Sequence, residues 1–172
     1  RAVASMIEEL AAAGSGVQII FITGERDYPQ YKHLQESEIN KNKCLKLFAF
    51  LDKIYYAFKI SDIVICRAGA TTLSEVTAGG KCSILVPYPY ATDNHQYKNA
   101  MALVEKKAAF IIDDAALASG GELKDIVKKL INDEKLIEET GKNAMNMAMP
   151  DAAAKICDEI EGSLFMNQGE KK

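Results

Sequence analysis

The residues best suited to chemistry stand between Cys66 and Glu75, where the sequence runs Cys-Arg-Ala-Gly-Ala-Thr-Thr-Leu-Ser-Glu. An apolar run ends there in a turn of small residues, and an amphipathic helix follows. Because the first turn of a helix presents unpaired N–H groups and the positive end of the helix dipole, such a loop can hold an anion. A carboxylate inside the helix, such as that of Glu75, favours hydroxyl groups instead. The stretch therefore predicts a nucleotide site, with diphosphate on the loop and ribose on Glu75.

An ordinary strand-to-helix connection with a threonine cap is the alternative interpretation, and this stretch alone does not decide between the two. The elements that position the loop can be predicted along the whole chain. Apolar runs rich in β-branched residues predict buried parallel strands at 17–24, 45–51, 63–66, 83–86 and 108–112. Periodicity predicts helices at 2–12, 53–60, 72–78, 122–131, 133–147 and 151–163, with further helices near 28–34 and after Gln96. We expect Pro150 to stand in the first turn of the last of these helices. This alternation predicts a single α/β domain: a Rossmann-like parallel sheet with helices on both faces.

Length and composition limit the possible functions. The 172 residues suffice for one domain with a substantial core, and a net charge of −3 argues against nucleic acid as a partner. No apolar run approaches the roughly 20 residues of a membrane span, and we find no signal peptide. The sequence starts without methionine and inside a helical pattern, so we expect a fragment of a longer protein.

The cysteines and histidines predict neither disulfides nor a metal site. Cysteines at positions 44, 66, 82 and 157 lack CxxC spacing, and three of them stand in apolar runs. We therefore expect four free, buried thiols in a reducing compartment. Two histidines without a cluster of His, Cys or acidic residues argue against a structural or catalytic metal. No cofactor is expected.

Two further strand ends carry unusual side chains. Phe50-Leu51-Asp52 follows one predicted strand, and Pro87-Tyr88-Pro89 follows another, with Asp93-Asn94-His95-Gln96 shortly after it. In open parallel sheets a ligand lies outside the carboxyl ends of the strands. The topology therefore brings these segments to one rim with the loop after Cys66, which favours a nucleotide site there.

Each segment also has a purely structural interpretation. Phe50 could belong to the core, Asp52 could cap the next helix, and Arg67 could be an ion-pair partner rather than a phosphate ligand. The stretch from Asp93 to Gln96 could be a helix cap, although its Asn, His and Gln side chains suit sugar hydroxyls. No nucleophile pairs with His95. Both GxGxxG and the P-loop lysine pattern are absent, which disfavours dehydrogenases and P-loop ATPases.

Together, these segments resemble the C-terminal half of the MurG family, bacterial N-acetylglucosaminyltransferases that make lipid II for peptidoglycan. The resemblance runs from the first helix to Pro150, and its most specific parts are Cys66 to Glu75, Val86-Pro-Tyr-Pro-Tyr, and Ala91-Thr-Asp-Asn-His-Gln with Asn99-Ala100. It implies the GT-B arrangement, in which two Rossmann-like domains face a cleft and the C-terminal one binds UDP-N-acetylglucosamine. It also implies an inverting, metal-independent hexosyltransferase at the cytoplasmic face of the plasma membrane, with roles in cell-wall synthesis, cell shape and division.

Residue by residue, the resemblance implies where the two ends of the donor lie. The Leu51 backbone would hydrogen-bond the uracil, with Phe50 beside it. Glu75 would bind the ribose hydroxyls. Gln96, helped by His95, would contact the hydroxyls of N-acetylglucosamine.

The middle of the donor is assigned in the same way. Ala70, Thr71 and Thr72 would line the diphosphate, on a loop shaped by Arg67 and Gly69. The resemblance implies no catalytic residue and no metal ligand within this chain.

The sequence departs from the family in what it lacks. The family's first strand of this domain and the GGSxGA-like loop after it should lie just before Arg1, and the acceptor-binding N-terminal domain should lie before them. That domain would carry the general base, the lipid I site and the membrane-associating surface. We therefore expect that this fragment alone does not transfer sugar, that it binds UDP-sugar weakly, and that open sheet edges make it prone to association.

Two other functions fit the same fold. One is an enzyme similar to UDP-N-acetylglucosamine 2-epimerase, which we would expect to carry more acids and histidines on this rim. The other is a sugar-nucleotide-binding module without chemistry. Fold alone does not separate these from a transferase, and the stretch from Ala91 to Gln96 favours the transferase.

Overall fold

A computed structural model describes residues 2–12, 16–37, 40–119 and 121–169. Five strands lie within these ranges: β1 (Ile19–Ile22), β2 (Leu45–Phe48), β3 (Ile63–Cys66), β4 (Cys82–Leu85) and β5 (Phe110–Ile111). The helices are α1 (Ala2–Ala12), α2 (Tyr28–Glu36), α3 (Ile54–Ile60), α4 (Ala70–Ala78), α5 (His95–Val104), α6 (Asp114–Ser119), α7 (Gly121–Ile131), α8 (Glu134–Met145) and α9 (Ala152–Gly169). The predicted α/β architecture is confirmed, and α6 is an addition to it.

The strands form two parallel sheets within the described part of the chain. One sheet pairs β1 with β2, and the other has the order β3-β4-β5. The two sheets share one core cluster. Met6 and Leu10 of α1 belong to that cluster, and Ile19 of β1 and Ile63 and Ile65 of β3 pack against it.

Strand β4 is the centre of the core, and all four of its residues are buried. Cys82 and Ile84 pack into the cluster built by α1 and α7, whereas Leu85 packs with Leu73 of α4 and Ala100 of α5. Because successive side chains of a strand alternate between its faces, β4 carries helices on both sides. This packing fixes where the loops after β3 and β4 stand relative to each other.

Two predicted helix starts are wrong. Asp52 does not cap α3, because the capping position is Lys53 and no side chain caps the helix. Pro150 precedes the last helix instead of standing in its first turn, since α9 begins at Ala152. In both cases the sequence motif for a helix start is present, but the chain turns one or two residues later.

The four thiols are free, as predicted, but they are not all buried. Cys82 is buried, Cys44 and Cys66 are half-buried, and Cys157 is exposed on α9. Desolvation raises the pKa of Cys82 to about 11, against a smaller opposing effect of a hydrogen bond with Thr140. No helix in the described residues is both long enough and apolar enough to cross a membrane.

Candidate functional site

The loop after β3 ends in an uncapped helix N-terminus. Gly69 is the residue before α4, its backbone is extended, and no side chain caps the helix. Helix α4 starts at Ala70, two residues earlier than predicted, so the N–H groups of Ala70, Thr71 and Thr72 belong to its first turn and lack helical acceptors. The threonine-capped alternative is therefore wrong. This turn can accept an anion.

The first turn of α4 also presents hydroxyl groups and open space. Within the described residues, the hydroxyls of Thr71 and Thr72 form no hydrogen bond, whereas that of Ser74 donates to the Ala70 carbonyl at 3.0 Å. A Cβ placed on Gly69 would meet no atom within 4 Å. The backbone of Gly69 is in an ordinary extended region, with φ −70° and ψ 144°. The protein itself therefore gives no reason for a glycine at this position.

Arg67 ties the loop after β3 to the loop after β4. Its Nη1 donates to the carboxylate of Asp114 at 2.6 Å and lies 3.1 Å from the Pro87 carbonyl and 3.3 Å from the Val86 carbonyl. The guanidinium also lies over the ring of Tyr88, 5.6 Å from its centroid. The ion-pair interpretation of Arg67 is thus correct.

Gln96 faces the same loop from the start of α5. Its Oε1 accepts the backbone N–H of Tyr88 at 3.0 Å, which leaves its NH₂ group with two free donor hydrogens. Asn99, one turn further along α5, donates to the Ala68 carbonyl at 3.5 Å. Side chains of α5 therefore contact both loops that bound the rim.

His95 has one defined ring nitrogen. Its Nδ1 lies 2.7 Å from the carbonyl oxygen of Thr92, which can only accept, so Nδ1 carries the proton and donates. In the neutral ring, Nε2 is then an acceptor. The preceding residues Asp93 and Asn94 are left-handed, with φ of 51° and 55°, so this segment is not the regular cap that was the alternative prediction. Such backbone is uncommon outside glycine and is frequent at ligand sites.

Glu75 lines an open cavity of about 410 Å³ between α3 and α4. Tyr55 and Phe58 of α3 form its aromatic wall, and Lys59 and Lys81 form its basic side. Glu75 also acts on Cys66: burial, and then the negative charge of Glu75, raise the pKa of that thiol to about 12. Cys66 is therefore an inert thiol beside the site, and the exposed carboxylate is available to a ligand.

The loop after β2 contributes an exposed aromatic ring. The Phe50 side chain is 69% exposed, so its interpretation as a core residue is wrong. The N–H of Leu51 has no acceptor in the described part of the chain. Helix α3 begins three residues further on and forms one wall of the Glu75 cavity, which brings this strand end near α4.

The structure links two of the predicted site residues through shared neighbours. Arg67 and Gln96 both bond the loop after β4, and the first turn of α4 begins three residues after Arg67. Phe50 and Leu51 are related to this group only through α3, which lines the cavity beside Glu75. Asp114 was missed, although a polar side chain shortly after a strand is the same signal that drew attention to the other strand ends. Among the described residues, no group of three or more His, Cys, Asp or Glu side chains is arranged to hold a metal.

Known proteins resemble this chain over most of its length. The model of the glycosyltransferase family 28 C-terminal domain matches residues 1–156. The chain is 41% identical over 159 residues to a protein of Geotalea uraniireducens named UDP-N-acetylglucosamine--N-acetylmuramyl-(pentapeptide) pyrophosphoryl-undecaprenol N-acetylglucosamine transferase; the match covers 91% of this chain and 42% of that protein. A protein of the same name from Halothermothrix orenii is 39% identical over 150 residues, with 86% and 40% covered.

Solved structures give the same result. The crystal structure of Acinetobacter baumannii MurG superimposes with a TM-score of 0.76 and 27% identity, over 92% of this chain and 46% of that one. A glycosyltransferase of kitacinnamycin shares the fold, with a TM-score of 0.59 and 16% identity over 90% of this chain and 38% of that one. The predicted resemblance to the MurG family is confirmed. The chain spans about two fifths of the length of the curated relatives it matches.

Proposed function

The chain belongs to the family of the glycosyltransferase family 28 C-terminal domain, and from that premise we propose that it is the donor-binding half of an N-acetylglucosaminyltransferase. The donor is UDP-N-acetylglucosamine, which the names of its relatives give as a substrate. The whole enzyme would add N-acetylglucosamine to lipid I and form lipid II for peptidoglycan. It would work at the cytoplasmic face of the plasma membrane, with the lipid acceptor held by a separate N-terminal domain.

The observation that carries this proposal is the uncapped start of α4, which stands between Arg67 and Glu75. A diphosphate there would receive hydrogen bonds from the free N–H groups of Ala70, Thr71 and Thr72. Glu75 lies further along the same helix, on the cavity between α3 and α4, where it can accept two hydroxyl groups. A nucleoside diphosphate carries the same two kinds of group in the same order: an anionic diphosphate and then the ribose hydroxyls.

Separate features of the structure support the positions proposed for the base and for the sugar of the donor. Exposed Phe50 and the free N–H of Leu51 suit a planar base that needs both an apolar face and a hydrogen bond. Gln96 offers two donor hydrogens, and His95 offers the Nε2 lone pair, which together suit the hydroxyls of a sugar. The open space at Gly69 supports a role in admitting the ligand close to the backbone.

The chemistry follows from the charge that develops on the donor. The acceptor hydroxyl would form a bond to the anomeric carbon while the bond from that carbon to the diphosphate breaks. UDP leaves with the electron pair, and the hydroxyl proton passes to a base outside this chain. The helix N-terminus favours the added negative charge on the diphosphate, which lowers the barrier without a metal.

We also propose that one further parallel strand belongs between β1 and β3, supplied by residues that lead into α1. The order β2-β1-gap-β3-β4-β5 is the doubly wound order 3-2-1-4-5-6 with its first strand vacant. Helix α1 belongs to the core cluster that Ile19 of β1 and Ile63 of β3 both pack against, as expected of a helix that follows a strand between them. Ile20 of β1 is 39% exposed, and α3 has no buried residue, as expected where a neighbouring strand is absent.

Hydrogen exchange tests this strand directly. The N–H groups of Ile19 and Thr23 donate to the carbonyls of Cys44 and Phe48. Because successive N–H groups of a strand point to opposite sides, those of Ile20 and Ile22 point to the open edge. In a longer protein that includes the residues before Arg1, the amides of Ile20 and Ile22 should exchange more slowly than in the 172-residue chain. Equal exchange in both proteins would contradict the proposal.

The proposed donor is tested by calorimetry with a panel of nucleotides. UDP-N-acetylglucosamine and UDP should bind to the 172-residue chain, and ADP should bind more weakly because its base does not suit the Leu51 backbone. Tighter binding of ADP than of UDP would reject a uridine site. Heat-unfolded protein serves as the control for heats of dilution.

A further inference from the structure

Asp114 opens α6, three residues after the end of β5, at the same rim as the proposed donor site. Its Oδ1 accepts a hydrogen bond from Arg67 Nη1 at 2.6 Å, across 47 residues of sequence. Both side chains are partly exposed, Arg67 at 47% and Asp114 at 38%. An ion pair as exposed as this contributes little to the free energy of unfolding, so any strong effect of Asp114 must be local.

The local effect passes through Arg67 to the loop after β4. The nitrogen that donates to Asp114 also lies within hydrogen-bond distance of the carbonyls of Val86 and Pro87, and the guanidinium covers the ring of Tyr88. An arginine side chain has many rotamers, and neutral carbonyls alone hold it weakly. The carboxylate of Asp114 is the charged partner that selects the rotamer in which all these contacts are made.

The loop after β4 in turn orients Gln96. The N–H of Tyr88 donates to Gln96 Oε1 at 3.0 Å and so fixes which end of the side-chain amide faces the loop. The NH₂ group then points away from the loop. One continuous set of contacts thus runs from Asp114 through Arg67 and residues 86–88 to Gln96.

We propose that Asp114 is a positioning residue for the sugar end of the donor site, acting through Arg67 and Tyr88 on the amide of Gln96. The inference rests on the proposed function, because the sugar of the donor is the ligand assigned to Gln96. It does not extend to the ribose, since Glu75 lies on the cavity between α3 and α4 and takes no part in these contacts. Loss of Asp114 therefore lowers selectivity for the sugar and spares the nucleotide.

Calorimetry of two ligands separates these effects. For the unsubstituted chain, Asp114→Ala and Asp114→Asn, the affinities for UDP-N-acetylglucosamine and for UDP are measured and their ratio is compared. In Asp114→Ala the ratio should fall by about three- to tenfold, the size of one or two lost hydrogen bonds. UDP affinity should stay within about twofold or rise, because Arg67 loses its neutralising partner beside the diphosphate. Asp114→Asn keeps an acceptor oxygen but lacks the charge that selects the Arg67 rotamer, so it should recover only part of the ratio.

The control is Asp113→Asn, at the neighbouring exposed carboxylate, which takes no part in these contacts. An unchanged ratio in Asp114→Ala would overturn the proposal, and so would a parallel loss of both affinities, which indicates general damage. Failure of the unsubstituted chain to bind either ligand would instead contradict the proposed function.

NMR of the free protein gives a readout independent of ligand. The amide signal of Tyr88 and the side-chain NH₂ signals of Gln96 should shift in Asp114→Ala and stay in place in Asp113→Asn. If both sets of signals are unchanged in Asp114→Ala, the contacts do not transmit the effect, and the proposal fails even if the ratio moves.

Discussion

The side-chain oxygen of Gln96 accepts the backbone N–H of Tyr88 at 3.0 Å, and this bond decides what Gln96 can offer a ligand. With one lone pair of that oxygen in use, the side chain presents mainly the two donors of its NH₂ group. Sugar hydroxyls accept hydrogen bonds as readily as they donate them, so this orientation suits the sugar of the proposed donor.

We therefore expect Gln96→Met to weaken the binding of UDP-N-acetylglucosamine by about tenfold and to leave UDP binding unchanged. Methionine has a similar length but lacks both the acceptor and the donors. Calorimetry with the two ligands measures the effect, and Lys98→Met, two residues along α5, is the control. Equal losses for UDP and UDP-N-acetylglucosamine would show that Gln96 supports the loop without meeting the sugar.

Substitution of Gly69 by alanine should affect UDP binding without affecting the stability of the fold. A Cβ at this position meets nothing within 4 Å and the backbone is ordinary, so Gly69→Ala should leave the melting temperature unchanged or slightly raised. The same methyl group would stand where the proposed diphosphate approaches, so UDP binding should weaken at least several-fold. Gly162→Ala, on exposed α9 with equally open space, should leave UDP binding unaffected. Full UDP affinity in Gly69→Ala would remove the diphosphate from this loop.

The ion pairs of Glu9 predict how stability depends on pH. Glu9 bonds Lys128 at 2.6 Å and Lys124 at 2.9 Å, joining α1 to α7. First Lys128 and then Lys124 lower the pKa of Glu9 from 4.5 to about 2. Because the folded-state pKa lies below the unfolded one, this contribution to stability is complete above about pH 4.5 and is lost as the pH falls towards 2.

Denaturant unfolding of Glu9→Gln at several pH values tests this dependence. The variant should be less stable than the unsubstituted chain at pH 7, and the two curves should converge in acid. High salt should also reduce the difference, since both carboxylate and ammonium groups are solvent-accessible. Glu8→Gln, one residue earlier on α1, is the control. A difference that persists at pH 2 would contradict the electrostatic origin.

The 172-residue chain should not transfer sugar by itself. The proposed acceptor site and base lie in a separate domain, so purified chain supplied with UDP-N-acetylglucosamine and lipid I should release no UDP above background. A full-length relative serves as the positive control. Clear turnover by the chain alone would mean that it holds a base and an acceptor site of its own.

The sequence predicted the α/β architecture because each strand and helix carries its own periodicity. The loop from Arg67 to Glu75 was predicted for the same reason, since small residues before a helix are a local signal. Helix α4 starts two residues before the predicted position. The reason is that Gly69, with its extended backbone, precedes the first turn where the prediction had placed a threonine.

Long-range relationships were beyond the sequence. The pairing of Arg67 with Asp114 joins residues far apart in the chain, and no local pattern indicates it. The left-handed backbone at Asp93 and Asn94 is a partial exception, because these residue types tolerate it, but only packing selects it. Cys157 was predicted to be buried, but it is exposed. Its exposure depends on what packs against α9, and apolar neighbours in the sequence do not reveal that.

The most direct test of the account is the role of Glu75 in binding ribose. Calorimetry compares UDP with 2′-deoxy-UDP on the unsubstituted chain and on Glu75→Ala, with Glu138→Ala on α8 as the control. We predict that the unsubstituted chain prefers UDP, and that Glu75→Ala weakens UDP binding by roughly 1–3 kcal/mol and abolishes the preference. Equal UDP affinity in the two proteins, or a preference that survives in Glu75→Ala, would remove Glu75 from the site and contradict the proposed donor geometry.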